Sequence, residues 1–142
     1  MPQILIGREY PEILTRYVKN AKQSIKILIY DWRWYYNEVG SKIQLFNNEI
    51  LNASNRGVEI SVLFNNDFIL KVFENSKINV KKVNTKKVMH VKMVIIDNKY
   101  LLLGSHNLTK NAFELNHEIS LLIDDQNCID RCNNFFENLC HL

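Results

Sequence analysis

Two apolar segments separated by a short polar turn constrain the fold of this chain more than any other feature. Residues 88–96 and 100–103 are rich in β-branched and large apolar side chains, and the turn between them reads Asp97-Asn98-Lys99. This pattern predicts a β-hairpin whose strands form part of a hydrophobic sheet. Polar residues within and directly after the two segments are therefore held at fixed positions relative to one another.

The length of the turn sets the register of the hairpin. With a two-residue loop at positions 98–99, Lys92 lies opposite Ser105 and His90 lies opposite Asn107. Because side chains alternate between the faces of a strand, these four polar side chains then project from one face at one end of the hairpin. A register shifted by one residue would separate them, so the predicted cluster depends on the two-residue loop.

The predicted cluster carries the groups that hold and attack a phosphate ester. The Lys92 ammonium would neutralise an oxyanion, to which the Ser105 hydroxyl and the Asn107 carboxamide would donate hydrogen bonds. His90, a side chain with a reference pKa of about 6.5, is suited to act as a nucleophile or a proton donor near neutral pH. The alternative for a lone His-x-Lys pair is a polar strand end that faces solvent, because such short patterns arise by chance.

Six residues of this region have a fixed spacing: His90, Lys92, Asp97, Gly104, Ser105 and Asn107. Their pattern resembles the signature of the phospholipase D superfamily at every fixed position. Further on, Asn116-His117-Glu118 is similar to the Asn-x-Glu that follows the signature in the small nuclease-like branch, whose members carry one motif per chain. The resemblance implies an α/β fold with a mixed β-sheet flanked by helices on both faces.

The resemblance also implies a mechanism and an assembly. Relatives with one motif per chain form a symmetric homodimer in which two copies of the motif meet in a single active site. One His90 would attack the phosphorus atom in line and form a phosphohistidine, while the partner's His90 would protonate the leaving group and then activate water. Paired copies of Lys92, Ser105 and Asn107 would hold the non-bridging oxygens, so we expect no metal and no other cofactor.

The other motif residues receive supporting roles. Glu118 is expected to accept a hydrogen bond from the second ring nitrogen of His90 and so to fix its tautomer, as the acid does in a hydrolase triad. Asp97 and Gly104 are assigned structural roles, and Asp97 should bond backbone groups at the hairpin turn. His106 lies between two motif residues, so its side chain should point to the opposite face and take no part in the chemistry.

A lysine-rich segment leads into the predicted site. Six lysines and no acidic residue occur between positions 77 and 96: Lys77, Lys81, Lys82, Lys86, Lys87 and Lys92. Lysines that guard a sheet edge against pairing are one interpretation. Because the segment ends at the site, we favour contact between a phosphate backbone and Lys86 and Lys87.

An aromatic run follows one of the predicted strands. Trp32, Arg33, Trp34 and Tyr35 are consecutive and come where turn residues are expected. They form either a stacking platform for unpaired bases or a set of core or interface anchors. A nucleic acid is the favoured substrate of the predicted enzyme, and the alternatives are a phospholipid hydrolase and a nucleic-acid-binding module without turnover.

The rest of the chain alternates helix and strand patterns, which favours one domain spanning residues 1–142. Helices are predicted over residues 11–22, 41–56 and 67–74 and near the C-terminus, and strands over residues 24–30, 58–64, 78–83 and 118–123. The second helix begins with a capping box, Ser41 followed three residues later by Gln44. Gly57 suits a left-handed cap after its last turn.

The cysteines and the N-terminus bear on metal binding and location. Cys128, Cys132 and Cys140 are an odd set near the C-terminus, which argues against a disulfide framework. Cys128 and Cys132 with His141 are one possible metal site, but the two thiols fall on one apolar face of the last helix, so we expect them to pack as small core hydrophobes. We therefore predict no metal site. The N-terminus lacks a basic leader followed by a long apolar segment, so we expect a cytoplasmic protein without stable membrane association.

Overall fold

A mixed β-sheet is the central element of the fold. A computed structural model of the chain describes residues 1–65 and 67–142. Within this part the strands are β1 (Gln3–Ile6), β2 (Ser24–Ile29), β3 (Glu59–Phe64), β4 (Asn79–Lys82), β5 (Lys92–Ile96), β6 (Tyr100–Gly104) and β7 (Ile119–Ile123). The helices are α1 (Glu9–Lys19), α2 (Lys42–Asn55), α3 (Phe68–Phe73) and α4 (Gln126–Cys140), with a π-helical turn at Asn111–Leu115.

The strands form one sheet in the order β1-β7-β6-β5-β2-β3-β4. Strands β2, β3 and β4 run parallel, and the other neighbouring pairs are antiparallel. Helices α1, α2 and α3 pack on one face, where alternate residues of β2 such as Ile25 and Ile27 are buried. Helix α4 packs on the opposite face against Leu28 and Leu101. This arrangement confirms the predicted α/β fold with a mixed sheet and helices on both faces.

The predicted elements outside the hairpin are confirmed, with boundaries shifted by at most three residues. Helix α2 shows why. The Ser41 hydroxyl accepts a hydrogen bond from the backbone N–H of Gln44 at 3.3 Å, and Ile43 and Phe46 on its apolar stripe are fully buried. Gly57 has a φ of +99°, the left-handed conformation that favours glycine. The capping hydrogen bond, the buried apolar stripe and the left-handed glycine therefore all favour a helix over Lys42–Asn55.

The hairpin turn corrects the predicted register. Ile96 pairs with Tyr100, so the loop has three residues rather than two and the ladder is shifted by one position from the prediction. Strand β5 begins at Lys92 rather than at residue 88, and β6 ends at Gly104, so His90, Ser105 and Asn107 lie outside the paired strands. Asp97 and Asn98 adopt left-handed φ values of 56° and 50°. The Asp97 carboxylate accepts hydrogen bonds from the backbone N–H groups of residues 22–24 at 2.7 to 3.1 Å. These bonds hold Asp97 in the loop and remove it from the strand pairing.

The last helix corrects the prediction for the cysteines. Helix α4 buries Ile129 and Phe136, whereas Cys128 is exposed and Cys132 and Cys140 are only half-buried. The cause is that α4 covers only part of the sheet face, so its buried stripe is narrower than its apolar stripe. Cys128 is therefore a surface residue and not a core hydrophobe.

Candidate active site

A histidine and a lysine stand at the start of β5. Lys92 Nζ lies 2.7 Å from His90 Nδ1. The Tyr30 ring, directly after β2, packs against the His90 ring with 4.6 Å between their centroids, and its centroid lies 5.7 Å from Lys92 Nζ. Strands β2 and β5 are neighbours with Ile29 opposite Lys92, so the sheet register brings these side chains together. Sequence reasoning missed Tyr30, although its position at a strand end was a usable signal.

The Lys92 amine lies close to both nitrogens of the imidazole. Its Nζ is 2.7 Å from His90 Nδ1 and 3.4 Å from His90 Nε2, and a lysine ammonium can only donate a hydrogen bond. Partial burial lowers the pKa of Lys92 below its ordinary value, and the negative charge of Glu118 opposes this effect. The His90 side chain is exposed, so a substrate has access to it.

A serine and a carboxylate meet across β6 and β7. The Ser105 hydroxyl donates to Glu118 Oε1 at 2.6 Å and accepts from the backbone N–H of Ile119 at 3.0 Å. The Asn116 side chain donates to Glu118 Oε2 at 3.1 Å. Among the described residues of one chain Glu118 makes no hydrogen bond to His90, so its role in orienting that ring stays a prediction. The β6–β7 pairing places Glu118 beside Ser105 instead.

Gly104 permits this meeting by its lack of a side chain. It pairs with Ser120, and a Cβ at position 104 would lie 2.2 Å from the Ser120 Oγ and 2.4 Å from the Ser120 Cα. Both distances are far shorter than a non-bonded contact allows. The close approach of β6 and β7 at Gly104 brings the following residue, Ser105, within reach of Glu118.

Asn107 is oriented by the segment that follows β2. Its side-chain oxygen accepts a hydrogen bond from the backbone N–H of Asp31 at 3.1 Å. The next residue, Leu108, donates to the Asp31 carbonyl at 3.0 Å and accepts from the Arg33 N–H at 3.0 Å. The amide nitrogen of Asn107 has no protein partner in the described part of the chain. It is therefore a donor available to a bound ligand.

Asp97 and His106 have structural surroundings. Asp97 lies at the end of β5 that is far from Lys92. Its carboxylate binds backbone N–H groups, as expected, but these belong to the residues at the start of β2 and not to the hairpin turn. His106 is buried, and its ring stacks on Tyr10 with 4.2 Å between centroids. Burial lowers the pKa of His106, against opposing effects of the Gly7 carbonyl and the Glu118 carboxylate.

The residues predicted to bind substrate differ in exposure. Trp32 is only 1 % exposed and its indole N–H donates to the Asn47 side chain at 2.7 Å, so it is a core residue and cannot stack on a base. Trp34 and Tyr35 are half-buried, and Arg33 is exposed. Lys86 and Lys87 are exposed on the segment before His90. Their contact with substrate stays a prediction.

Residues 1–65 and 67–142 contain no cluster of three or more His, Cys, Asp or Glu side chains arranged to hold a metal ion. No helix in this part is both long and apolar enough to cross a bilayer.

Comparison of sequences identifies relatives over most of the chain. Residues 14–140 match the family model described as "Cardiolipin synthase, PLD-like domain". A protein named "Phospholipase D" from Rickettsia prowazekii is 26 % identical over 121 residues, which cover 81 % of this chain and 55 % of the relative. Its counterpart from Rickettsia typhi is 31 % identical over 98 residues, covering 65 % of this chain and 48 % of the relative. The chain thus spans about half the length of these curated relatives.

Solved structures share the fold over nearly the whole chain. NucT from Helicobacter pylori superposes with a TM-score of 0.82 at 20 % identity, covering 99 % of this chain and 96 % of that one. Nuc from Salmonella typhimurium, titled a phospholipase D family member, has a TM-score of 0.81 at 19 % identity, with 99 % and 95 % covered.

Proposed function

The chain belongs to the phospholipase D superfamily, and on that premise we propose that it is a metal-independent phosphodiesterase that cleaves DNA or RNA through a phosphohistidine at His90. The observation that carries the proposal is the 2.7 Å contact between His90 Nδ1 and Lys92 Nζ at an exposed end of the sheet. Asn107 lies at the same end of the sheet, where its side-chain oxygen accepts from the Asp31 N–H just after β2. A nucleophile, a cation and a hydrogen-bond donor are the groups that phosphoryl transfer requires.

Substrate binding should change the partner of Lys92. A non-bridging phosphate oxygen is a stronger acceptor for an ammonium than a neutral imidazole nitrogen, because it carries charge. When Lys92 turns to the phosphate, His90 Nδ1 loses its donor, and the ring can hold its proton there. The Nε2 lone pair then becomes free to attack phosphorus.

The reaction would proceed in two displacements. The Nε2 lone pair forms a bond to phosphorus, the phosphorus–oxygen bond to the leaving group breaks, and the leaving oxygen takes a proton from a second imidazole. Water then gives its proton to that imidazole and attacks phosphorus, which breaks the phosphorus–nitrogen bond and releases a phosphomonoester. Lys92 and Asn107 stabilise the charge on the non-bridging oxygens in both steps.

The second imidazole is proposed to come from a second copy of the chain. The remaining histidines are His106, His117 and His141, and none begins another His-x-Lys pair. His106 is buried with both ring nitrogens engaged, so it cannot serve. In a symmetric homodimer the partner's His90 would supply the proton, and the pair would titrate as a unit.

An uncovered apolar surface beside the site supports this assembly. Ile4, Ile6 and Ile119 are 58 %, 61 % and 54 % exposed, and the pairing of Ile6 with Ile119 places them on one face of the sheet. Val88, two residues before His90, is 71 % exposed. Exposed aliphatic patches of this kind mark protein interfaces. Because Ile119 directly follows Glu118, a second copy that covers the patch would also approach the site.

Two observations bear on the substrate. The exposed Lys86 and Lys87 lie immediately before His90 and favour a polyanion such as nucleic acid. The same two lysines line a cavity of about 620 Å³ together with His90, Val88 and Phe135, and the apolar part of this lining instead favours a phospholipid with an acyl chain in the cavity. The phospholipid hydrolase is therefore the second candidate function.

The direct test is digestion of single- and double-stranded DNA and RNA and of a phospholipid panel, all in the presence of a chelator. We expect cleavage of nucleic acid by the wild type and none by His90→Ala. His141→Ala is the matched control, because His141 is also an exposed histidine but lies at the end of α4, and it should remain active.

Three outcomes would contradict the proposal. Cleavage that stops in chelator and returns with magnesium would show a metal-dependent reaction. Cleavage of phospholipid alone would establish the second candidate. Binding of nucleic acid without turnover by either the wild type or His90→Ala would show a binding module.

A further inference from the structure

A second cavity, of about 490 Å³, lies next to Asn107 between the segment after β2 and the start of the π-helical turn. Its lining includes Arg33, Trp34, Tyr35, Lys110 and Asn111. The volume falls within the range of about 300 to 1,000 Å³ that is typical of small-molecule sites.

One short segment borders both the cavity and the proposed active site. Asp31, whose backbone N–H donates to Asn107, also lines the cavity. The residue before it, Tyr30, packs its ring 4.6 Å from the His90 ring. The cavity wall therefore begins one residue after a side chain that contacts His90.

The charges at the cavity are already balanced. The Arg33 Nε lies 2.8 Å from the Asp31 carboxylate, and Lys110 forms an ion pair with Glu38. A second phosphate would find little uncompensated positive charge here. A flat, uncharged group that stacks and makes hydrogen bonds fits the lining better, because Trp34 and Tyr35 offer rings and Asn111 offers an amide.

The cavity wall is also held in place before any ligand binds. The edge of Trp34 packs on Phe73 with 5.4 Å between ring centroids. The Tyr35 hydroxyl accepts a hydrogen bond from the Lys110 backbone N–H at 2.9 Å, and the Tyr35 N–H donates to Gln44 at 2.8 Å. Asn47 of α2 donates to the Arg33 carbonyl at 3.1 Å. A rigid aromatic surface binds with a small loss of entropy.

We propose that this cavity binds the nucleobase of the nucleotide next to the scissile phosphate, with Trp34 as the stacking residue. The inference rests on the proposed function and adds to it a recognition element and a strand preference. A base reaches the cavity only when it is unpaired, so single strands are the preferred substrate. Recognition by stacking accepts every base, so sequence preference is weak.

The test compares Trp34→Ala with the wild type on a single-stranded oligonucleotide and on an abasic strand of the same length. We expect kcat/KM on the intact strand to fall about 10- to 100-fold, and on the abasic strand less than about threefold. Trp34→Phe should recover most of the loss. Tyr36→Ala is the matched control, since Tyr36 is 68 % exposed and does not line the cavity, and it should behave as the wild type.

A second variant covers the case in which Trp34→Ala does not fold. Asn111 is exposed at the cavity mouth, and Asn111→Phe should block entry of a base with the same selectivity for the intact strand. Equal loss on intact and abasic strands would overturn the inference. So would unchanged activity, or a loss confined to phospholipid substrates.

Binding in the His90→Ala background separates the two claims. If the wild type cleaves neither strand, the proposed function fails. The affinity of His90→Ala for the intact and the abasic strand is then compared with that of the double variant His90→Ala/Trp34→Ala. A loss of affinity for the intact strand alone would uphold the base site. Equal affinities would reject it.

Discussion

The change His106→Phe keeps an aromatic ring against Tyr10 but removes both hydrogen bonds of the imidazole. In the wild type the two rings are stacked at 4.2 Å with an angle of 12° between their planes. His106 Nε2 donates to the Gly7 carbonyl at 2.9 Å, so Nδ1 accepts from the Ser120 hydroxyl at 2.7 Å. The variant therefore leaves two polar groups without their partner while apolar packing is nearly conserved.

The expected loss follows from the burial of those two groups. A buried polar group that loses its partner destabilises a fold by about 1 to 3 kcal/mol. Ser120 is 2 % exposed and bears the full penalty, whereas Gly7 is only half-buried and its carbonyl can bind water. We expect the free energy of unfolding to fall by about 2 to 3 kcal/mol.

The double variant His106→Phe/Ser120→Ala isolates the polar contribution. Removing both partners of a buried hydrogen bond is far less harmful than removing one, so it should recover at least about 1 kcal/mol relative to His106→Phe. Urea unfolding near neutral pH, followed by tryptophan fluorescence, measures all the variants of this cycle. A loss below about 0.5 kcal/mol for His106→Phe, or a double variant that is less stable still, would refute the reasoning.

The same residue should contribute acid sensitivity. Burial lowers the pKa of His106 in the folded chain below the ordinary value of 6.5, so folding favours the neutral ring. Its contribution to stability is complete above that ordinary value and is lost as the pH falls through the lower folded value. The wild type should therefore lose more stability than His106→Phe between neutral and mildly acidic pH. Parallel pH profiles of unfolding free energy would contradict this assignment.

Three further variants test other parts of the structure. Gly104→Ala should force β6 and β7 apart at Ser120 and lower the free energy of unfolding by about 2 to 4 kcal/mol, and an unchanged urea midpoint would disprove the close approach. Asp97→Ala should destabilise by about 1 to 3 kcal/mol because three backbone N–H groups lose their acceptor, but activity per folded molecule should persist. Lys92→Met should reduce kcat at least about 100-fold with a change in unfolding free energy below about 0.5 kcal/mol, and normal turnover would exclude its role on the phosphate.

Local chemistry explains which parts of the fold were predictable. The Ser41 cap, the buried stripe of α2 and the positive φ of Gly57 depend on residues close together in the sequence, and all three agree with the structure. The predicted hairpin register disagrees with the structure, because the Asp97 carboxylate accepts hydrogen bonds from the backbone of residues 22–24, which are distant in the sequence. No short-range pattern shows that contact. Strand β1 is also set by a distant partner, since it pairs with β7.

The candidate site likewise contains residues that the sequence predicts and residues that only distant contacts position. The spacing of His90 and Lys92 identified the basic pair, but the one-residue shift means that Asn107 does not lie opposite His90. Asn107 is instead fixed by the Asp31 N–H, through a segment that the hairpin argument did not include. The sequence groups Trp32 with Arg33, Trp34 and Tyr35, and only the packed structure shows its hydrogen bond to Asn47 in the core. Exposure of side chains within an aromatic run depends on tertiary packing.

The most direct test of the account is to stop the reaction during turnover with an alkaline denaturing quench, in which a phosphohistidine is stable, and to locate any covalent substrate fragment by mass spectrometry. The account predicts one phosphoramidate adduct per two chains, attached to His90, because one imidazole of each pair attacks while the other transfers protons. Absence of an adduct under conditions that trap other phosphohistidines, an adduct on a different residue, or one adduct on every chain would contradict it.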